Sequence, residues 1–367
     1  MRNKIFNLFL VFLLVTSLLT FGGCTKQSQT DQDVQGSGNV EVDTNEGVQT
    51  TQKVVGMDGV EVELPKEIRS IVDTWSAATD NLFNLGAGDL LVSAHSAAVS
   101  EWSKRIYPPI ANLPDYSKAT AEELLKINPD MVLVTSTEKA AELRNAGINS
   151  INLMYLNYED FKKSTLIMGQ VLGKEYADRA QKVADYTEWM METLKSDLKD
   201  IKSEEKPIVH YIMTSDPNNP YSSGGGGSIM DEWITMAGGK MATADLGKGM
   251  GLKDVTAEQI LATNPDVIMI DGDNAAEVRD ALRKMPEWSD ITAVKNNEIY
   301  CIPKGCFWWG RLCGDTPLQP LWAASVLYPE KISYNIHEET KKFYRDFKLC
   351  DLTDEEVDRL LRVELLP

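Results

Sequence analysis

The stretch Phe307-Trp308-Trp309-Gly310-Arg311 places aromatic rings beside a guanidinium group. Aromatic side chains offer flat apolar area to a rigid ligand, and arginine pairs well with a carboxylate or an oxyanion. Adjacent residues of a strand point to opposite faces, so Trp308 and Trp309 cannot both be buried on one face. We therefore expect at least one of these rings, together with Arg311, to contact a ligand. The alternative is that both rings pack inside the protein and Arg311 forms a surface ion pair.

Other ring-bearing side chains follow predicted strands or lie in the loops between them: Trp75, His95, Tyr107 and Tyr221. In α/β proteins, ligands bind beyond the carboxyl ends of the strands. We predict that these side chains line the same binding site as Trp308. Core or loop packing is the competing interpretation, and it is strongest for His95 and Tyr107.

Side chains that catalyse hydrolysis or hold a bare metal ion are scarce. The only histidines are His95, His210 and His337, and neither a Gly-x-Ser-x-Gly motif nor a Ser-His-Asp pattern occurs. Metal-dependent hydrolases and receptors for bare zinc or manganese need several convergent ligands. The sequence therefore predicts a protein that is not an enzyme and that has no metal centre or cofactor of its own.

Two lobes must position the candidate residues, because one helix–turn–strand pattern occurs twice. Ala119–Val134 reads ATAEELLKINPDMVLV, and Val255–Ile270 reads VTAEQILATNPDVIMI. In each copy a threonine begins a capping box, Asn-Pro-Asp ends the helix, and a short apolar run follows as a strand buried on both faces. A single long repeat interval indicates duplication rather than a solenoid. The cleft between two lobes is a common ligand site.

We predict an α/β protein with two lobes, each a parallel-type sheet flanked by helices, joined by one long backbone helix. The boundaries are an N-terminal lobe over 53–158, a connecting helix over 159–203, and a C-terminal lobe over 204–367 with a returning C-terminal helix. In the connecting segment apolar residues recur at steps of three or four from Leu172 to Leu198. A helix of this length is stiff, so we expect only a small closure of the lobes on ligand binding.

The first 23 residues have the features of an export signal. A basic start precedes the apolar stretch Ile5–Leu19, and Cys24 follows two glycines. This arrangement resembles a bacterial lipoprotein signal, so we predict lipidation of Cys24 and a position on the outer face of the cell membrane. A retained membrane anchor and a plain secretory signal are the alternatives. Residues 24–52, rich in Gln, Thr, Ser and Gly, are expected to form a flexible tether.

The net charge of −18 argues against nucleic acid as a partner, because an acidic surface repels phosphate. Beyond Cys24 the chain has four more cysteines: Cys301, Cys306, Cys313 and Cys350. Outside the cytoplasm they can form disulfides in three pairings or remain free thiols, and the sequence does not decide between these states.

The order of several motifs resembles the substrate-binding proteins of ABC importers for iron complexes, in which a helical spine joins two lobes. The motifs are DGVEVELPKEIRSIV and NLGAGDLLVSA, both copies of the repeat, the long helical segment, and YCIPKGCFWWG followed by PLQPLWAASVLYPE. The resemblance covers nearly the whole predicted mature chain. It implies a monomeric lipoprotein that binds an iron complex, above all a ferric siderophore, and delivers it to an ABC permease and its ATPase. Haem, cobalamin and an oxyanion such as molybdate or tungstate are the alternative ligands.

The same resemblance gives a role to two glutamates. In such proteins one glutamate on each lobe docks into arginine pockets of the permease, seven residues before the proline that ends the repeated helix. Glu122 and Glu258 occupy this position before Pro129 and Pro265. The alternative explanation is local, because the helix dipole favours carboxylates in a first turn.

Overall fold

The computed structural model describes residues 50–214, 216–252 and 255–363. The predicted signal peptide, the predicted lipidation site Cys24 and nearly all of the predicted tether lie outside the described residues. Within the described ranges, no helix has both the length and the apolar character needed to cross a lipid bilayer.

Strands and helices alternate along most of the described chain. The strands are β1 (Thr51–Val55), β2 (Glu61–Pro65), β3 (Ile71–Asp73), β4 (Leu91–Ser93), β5 (Met131–Val134), β6 (Ser150–Asn152), β7 (Ile208–Met213), β8 (Lys240–Met241), β9 (Val267–Asp271) and β10 (Ile299–Cys301). The α-helices are α1 (Ser76–Asn84), α2 (Glu101–Ile106), α3 (Ala121–Ile127), α4 (Thr137–Asn145), α5 (Tyr158–Leu172), α6 (Lys174–Asp197), α7 (Ile229–Met236), α8 (Ala257–Leu261), α9 (Ala275–Leu282), α10 (Thr292–Lys295), α11 (Leu318–Leu327), α12 (Ile336–Phe347) and α13 (Asp354–Leu360).

Two four-stranded sheets, each wholly parallel, form the centres of the two lobes. The first lobe has the strand order β4-β3-β5-β6, and the second has β10-β9-β7-β8. Strands β1 and β2 form a separate antiparallel hairpin, whose turn includes Gly59 with a φ of 76°. The prediction of an α/β fold with two parallel sheets flanked by helices is confirmed.

The duplicated motif forms the same structure in both lobes. In α3 the Thr120 side chain accepts a hydrogen bond from the backbone of Glu123, and the Glu123 carboxylate accepts one from the backbone of Thr120. The equivalent pair in α8 makes the same two bonds. After each helix an asparagine takes the left-handed conformation, Asn128 with a φ of 51° and Asn264 with a φ of 41°. Strands β5 and β9 then enter the centres of their sheets fully buried.

The segment predicted as one connecting helix is in fact two helices, so this part of the prediction is wrong. Helix α5 ends at Leu172 and α6 begins at Lys174, and Gly173 between them has a φ of 109°. This φ lies far outside the right-handed helical region, and glycine reaches it without steric cost. The apolar spacing continues on both sides of the glycine, so periodicity alone did not reveal the break.

Helices α5 and α6 pack as an antiparallel pair. Lys162 on α5 forms a salt bridge with Glu188 on α6. Near the turn, a Cβ atom placed on Gly169 would lie 2.4 Å from the Cβ of Ala180, so only glycine permits this approach. Helix α6 also contacts α1 in the first lobe and both α7 and α11 in the second. It therefore joins the lobes as a helical spine.

One apolar core extends through both lobes and the spine. It includes Ile71 and Leu82 from the first lobe, Met190 from α6, and Trp233 and Leu321 from the second lobe. Two smaller apolar clusters lie on the outer faces of the sheets, one beneath α3 and α4 and one beneath α8 and α9. Separating the lobes by a large angle would expose part of the shared core to water, which is unfavourable.

The C-terminal helices contact more than the second lobe. Helix α12, which the sequence analysis missed, packs on α6, where the rings of Phe343 and Tyr186 have centroids 5.3 Å apart. Helix α13 reaches α2 of the first lobe, where Glu356 accepts a hydrogen bond of 2.8 Å from Arg105. The C-terminal segment is thus a second connection between the lobes.

The four cysteines of the described chain are free thiols, and all four are buried. Each lies in the second lobe or in the C-terminal segment that follows it. The structure therefore shows the thiol form among the states that the sequence left open.

Candidate functional site

Two open cavities lie in the space between the lobes, since residues from both lobes line each of them. The larger, of about 660 Å³, is lined by Leu156 and Asn157 after β6 and by the start of α7. The smaller, of about 300 Å³, is lined by residues at the start of α2, by Asp273 after β9 and by Lys304 after β10. Both cavities adjoin the carboxyl ends of strands, where a ligand site is expected.

Trp308 lies at the carboxyl end of the second sheet with two cations over its ring. The Lys304 ammonium is 4.9 Å from the ring centroid, and the Arg311 guanidinium carbon is 5.5 Å from it. The indole Nε1 donates a hydrogen bond of 3.2 Å to Asp273, which also forms a salt bridge with Lys304. Trp308 is only partly buried. Its ring is therefore held in place and still offers surface to a ligand.

Trp309 points in the opposite direction and is 0% exposed. Its Nε1 donates a hydrogen bond of 2.9 Å to Asp315, and its backbone oxygen accepts one from Gln319. In this arrangement the Trp309 ring has no surface to give to a ligand. The two rings therefore diverge as expected, and Trp308 faces outward while Trp309 faces inward.

Arg311 is a partly buried cation that forms no salt bridge with any described residue, and its Nε atom is buried without a hydrogen-bond partner. The nearby Asp271 carboxylate accepts a hydrogen bond of 2.8 Å from the Tyr211 hydroxyl. Burial raises the pKa of Asp271, although that hydrogen bond and the charges of Arg311 and Arg362 oppose the rise. Asp271 thus interacts with the charge of Arg311, but no described carboxylate lies within salt-bridge distance of the guanidinium. This leaves it able to bind an anionic group of a ligand.

Gly310 allows this group to pack closely. A Cβ atom at this position would lie 2.5 Å from an Asp271 carboxylate oxygen and 2.8 Å from the Tyr211 hydroxyl. Any larger residue would displace the carboxylate that lies beside Arg311. The glycine between the tryptophan pair and the arginine is therefore a packing requirement.

Trp75 lies at the carboxyl end of the first sheet, in the other lobe. Its ring packs against Tyr155 with centroids 4.6 Å apart. Asp73, the last residue of β3, accepts hydrogen bonds from the Trp75 backbone and the Thr79 hydroxyl. Burial raises the pKa of Asp73 to about 7, with those hydrogen bonds opposing the rise. Trp75 is partly buried and directly precedes α1 of the first lobe.

His95 and Tyr107 make local contacts within the first lobe. The His95 Nδ1 accepts a hydrogen bond of 3.0 Å from the backbone of Ala97 and so caps a short 3₁₀ helix. The Tyr107 ring lies 6.0 Å from that of Phe83 and lines a separate cavity of about 140 Å³ beside Leu349. Neither side chain has a contact that groups it with Trp308.

Tyr221 packs on the outer face of the second sheet. Its ring stacks on Trp288 at a centroid distance of 5.7 Å, and its hydroxyl donates a hydrogen bond of 3.2 Å to Glu287. The same Trp288 belongs to the apolar cluster beneath α8 and α9. The structure therefore does not bring Tyr221 into the group around Trp308 and Arg311.

Asp273 and Asp73 are two members of these groups that were not among the predicted ligand-binding residues, and Lys304 and Tyr155 are others. The two aspartates lie at or just after the carboxyl end of a strand, which is the signal that selected the other candidates. Asp273 joins Lys304 and Trp308, and Asp73 holds the backbone of Trp75. In the described ranges, no three His, Cys, Asp or Glu side chains converge as metal ligands.

A comparison of the sequence with protein families agrees with the fold of two parallel α/β sheets. The model of the periplasmic binding protein family matches residues 71–305, which is more than half of the chain. The chain belongs to this family. A comparison with curated protein sequences finds no match.

Solved structures of such binding proteins have the same fold. A periplasmic solute-binding protein from Veillonella parvula is 25% identical, with a TM-score of 0.75, and the match covers 86% of this chain and 98% of that one. The molybdate-binding protein MolA of Haemophilus influenzae, solved with molybdate, is 18% identical, with a TM-score of 0.72 and coverage of 82% and 99%. CeuE of Helicobacter pylori, solved with Ni(II), is 18% identical, with a TM-score of 0.68 and coverage of 84% and 99%.

Membership makes the chain an extracytoplasmic binding protein of the type that serves ABC importers. The two predicted docking residues of this binding protein are exposed at the starts of equivalent helices. Glu122 on α3 forms a salt bridge of 2.8 Å with Lys126. Glu258 on α8 has a lowered pKa because its carboxylate accepts hydrogen bonds from its own backbone N–H and from Thr256.

Proposed function

We propose that this binding protein captures an anionic metal complex between its lobes, above all a ferric siderophore, and delivers it to the permease. The observation that carries the proposal is Arg311, a partly buried cation without an ion-pair partner among the described residues, beside the partly exposed ring of Trp308. An arginine in this position attracts an anion, and the indole ring offers a flat apolar surface. Ferric catecholates combine a net negative charge with aromatic rings.

The ligand surface would include side chains of both lobes. Trp308 and Arg311 supply it from the second lobe, and Trp75 supplies an aromatic face from the first. We leave His95, Tyr107 and Tyr221 out of this surface, because their contacts are local and do not group them with Trp308. Trp309 would support Trp308 from behind and would not touch the ligand.

The test is a titration of the protein with ferric enterobactin, followed by quenching of tryptophan fluorescence and by visible absorption. Arg311→Gln should weaken binding about 10- to 100-fold, because a hydrogen bond to a charged group contributes about 1.5–3 kcal/mol. The matched control is Lys304→Gln, which removes a neighbouring cation that Asp273 already pairs with. We expect this control to change affinity less than about threefold. Equal effects of both variants, or no binding by the unaltered protein, would contradict the proposed ligand.

Haem, cobalamin and a small oxyanion are the other ligands that the same scaffold could carry. The oxyanion is the alternative with a specific observation behind it, since Arg311 alone can bind one and a fold relative was solved with molybdate. Calorimetry with molybdate and with haem separates the cases. A small oxyanion would require Arg311 and tolerate Trp308→Ala, whereas a large aromatic complex would lose affinity in both variants.

Lipid anchoring and permease docking complete the proposal. Cys24 would carry the lipid, so Cys24→Ser should move the protein from the membrane fraction to the soluble fraction of the cell envelope. An unchanged distribution would contradict lipidation at this residue.

Glu122 and Glu258 would dock on the permease as two fixed charges, one on each lobe, which gives the contact a defined register.

A further inference from the structure

Helix α1 carries many polar side chains although all of its residues are buried. Asn81 donates a hydrogen bond of 2.9 Å to Thr165 on α5, and Asn84 donates one of 2.7 Å to the backbone oxygen of Gly314 in the second lobe. Buried polar groups are costly unless they are paired. The polar side of α1 therefore forms the contact of the first lobe with both the spine and the second lobe.

Lys348 is the centre of this contact surface. Its ammonium lies between two carboxylates, pairing with Asp80 on α1 and approaching Asp315 in the second lobe to 3.1 Å. None of the three side chains is more than 1% exposed. Lys348 follows α12, so one buried cation joins the first lobe, the second lobe and the C-terminal segment.

The Asp315 end of this cluster leads to the ligand-facing loop. Its carboxylate accepts hydrogen bonds of 2.9 Å from the Trp309 indole and 2.9 Å from the Tyr344 hydroxyl. Trp309 is the inward neighbour of Trp308. The packing is close, since a Cβ atom on Gly305 would lie 1.9 Å from an Asp315 carboxylate oxygen. The Asp315 carboxylate is therefore in direct contact with the segment that carries Trp308 and Arg311.

We propose that Lys348 is a positioning residue that fixes the first lobe relative to the Trp308–Arg311 loop of the second lobe and so sets the resting width of the cleft. Two exposed salt bridges hold the same segment on the first lobe, Arg105 with Glu356 and Glu101 with Arg359. Exposed pairs contribute little, whereas removing one partner of a buried pair leaves an uncompensated charge. The buried cluster is therefore the part of the second connection that resists movement.

The test measures the distance between the lobes in the ligand-free protein, so its result does not depend on which ligand is bound. Spin labels are placed on the full chain at Glu138→Cys and Glu277→Cys, which are exposed positions on α4 and α9. The cysteines of the described chain are buried, and Cys24→Ser is present in every sample. Double electron–electron resonance then gives the distribution of lobe-to-lobe distances.

Asp80→Asn is the decisive variant, because it removes the charge on the first lobe and leaves Lys348 paired with Asp315. We expect a broader distance distribution than that of the unaltered protein. The matched control is Asp73→Asn, a buried carboxylate whose hydrogen bonds stay within the first lobe. The control should keep the original distribution.

A second variant keeps the proposal testable if Asp80→Asn fails to fold. Asp80→Asn, Asp315→Asn and Lys348→Met together leave no unpaired buried charge, and such neutral replacements are often tolerated. This variant should also broaden the distribution. An unchanged distribution in either folded variant would overturn the proposal. Failure of both variants to fold would overturn it as well, because the cluster would then serve folding and not the placement of the lobes.

Discussion

At the residue scale, His210 shows the cost of an unpartnered polar ring in the core. It lies in β7, is 0% exposed and stacks on Trp288 with centroids 6.0 Å apart. Neither ring nitrogen has a hydrogen-bond partner in the described chain. Burial lowers the pKa of His210 to about 4, because the charged imidazolium is excluded from the apolar interior.

This lowered pKa predicts a loss of stability in mild acid. The unfolded chain binds a proton near the ordinary histidine pKa of about 6.5, whereas the folded chain does not until about pH 4. The contribution is therefore fully present above pH 6.5 and is lost as the pH falls toward 4. Between pH 7.5 and pH 5 the free energy of unfolding should fall by about 2 kcal/mol through this group.

The measurement is urea unfolding of the unaltered protein and His210→Leu at both pH values. At each pH, the free energy of unfolding of the unaltered protein is subtracted from that of the leucine variant. This difference should be about 2 kcal/mol larger at pH 5 than at pH 7.5. If His210→Leu changes the free energy of unfolding equally at both pH values, then burial of a neutral His210 does not cause the loss of stability in acid.

The candidate site shows which side-chain orientations can be predicted from residue type and position and which cannot. Adjacency alone predicts that the rings of Trp308 and Trp309 diverge. It does not reveal which ring is buried, because Trp309 is held by Asp315 and Gln319, which reach it only in the folded chain. Proximity in sequence to strand ends also selected Tyr221, yet its ring turns to the outer face of its sheet.

At the scale of single elements, the crossing of α5 and α6 depends on Gly169. A Cβ atom there would lie 2.4 Å from the Cβ of Ala180 and 2.8 Å from the backbone oxygen of Tyr176. Gly169→Ala should therefore force the helices apart and lower the free energy of unfolding by about 1–3 kcal/mol, although alanine favours a helix. Denaturant unfolding measures the change.

The control for this prediction is Gly251→Ala. Gly251 has no atom within 4 Å of a built Cβ and lies on the surface. This substitution should change stability by less than about 0.5 kcal/mol. If Gly169→Ala is as stable as the control, then the close approach of the two helices does not govern stability at this crossing.

The elements differ in how much the sequence disclosed. Strands β5 and β7 coincide with short apolar runs of the sequence, because an apolar run between turn residues identifies a buried parallel strand. Helix α12 was missed although Asn335 caps it and its buried residues recur at helical spacing, so the signal was present and unused. The break at Gly173 was not recoverable from periodicity, since the apolar stripe runs on through it.

At the scale of the whole molecule, the proposed docking on the permease rests on one exposed carboxylate in each lobe, Glu122 and Glu258. Reversing both charges, Glu122→Lys with Glu258→Lys, should abolish uptake of the ferric complex by cells and leave the affinity of the purified protein intact. The reason is that both side chains are exposed on outer helices, away from Trp308 and Arg311. Uptake assays and the binding titration measure the two effects separately.

The matched control reverses two other exposed carboxylates, Glu138→Lys with Glu277→Lys, one on each lobe. It makes the same change in net charge, so a general electrostatic effect would reduce uptake equally in both double variants. Retained uptake in the first double variant, or loss of its ligand affinity, would reject docking through Glu122 and Glu258.

The four buried thiols of the described chain determine when the protein can be oxidised. Burial raises the pKa of all four, most strongly at Cys306 and Cys313, so the folded protein presents almost no reactive thiolate. An exported chain leaves the reducing cytoplasm before it folds. We therefore expect these thiols to react with oxidants only in the interval before the second lobe folds and buries them.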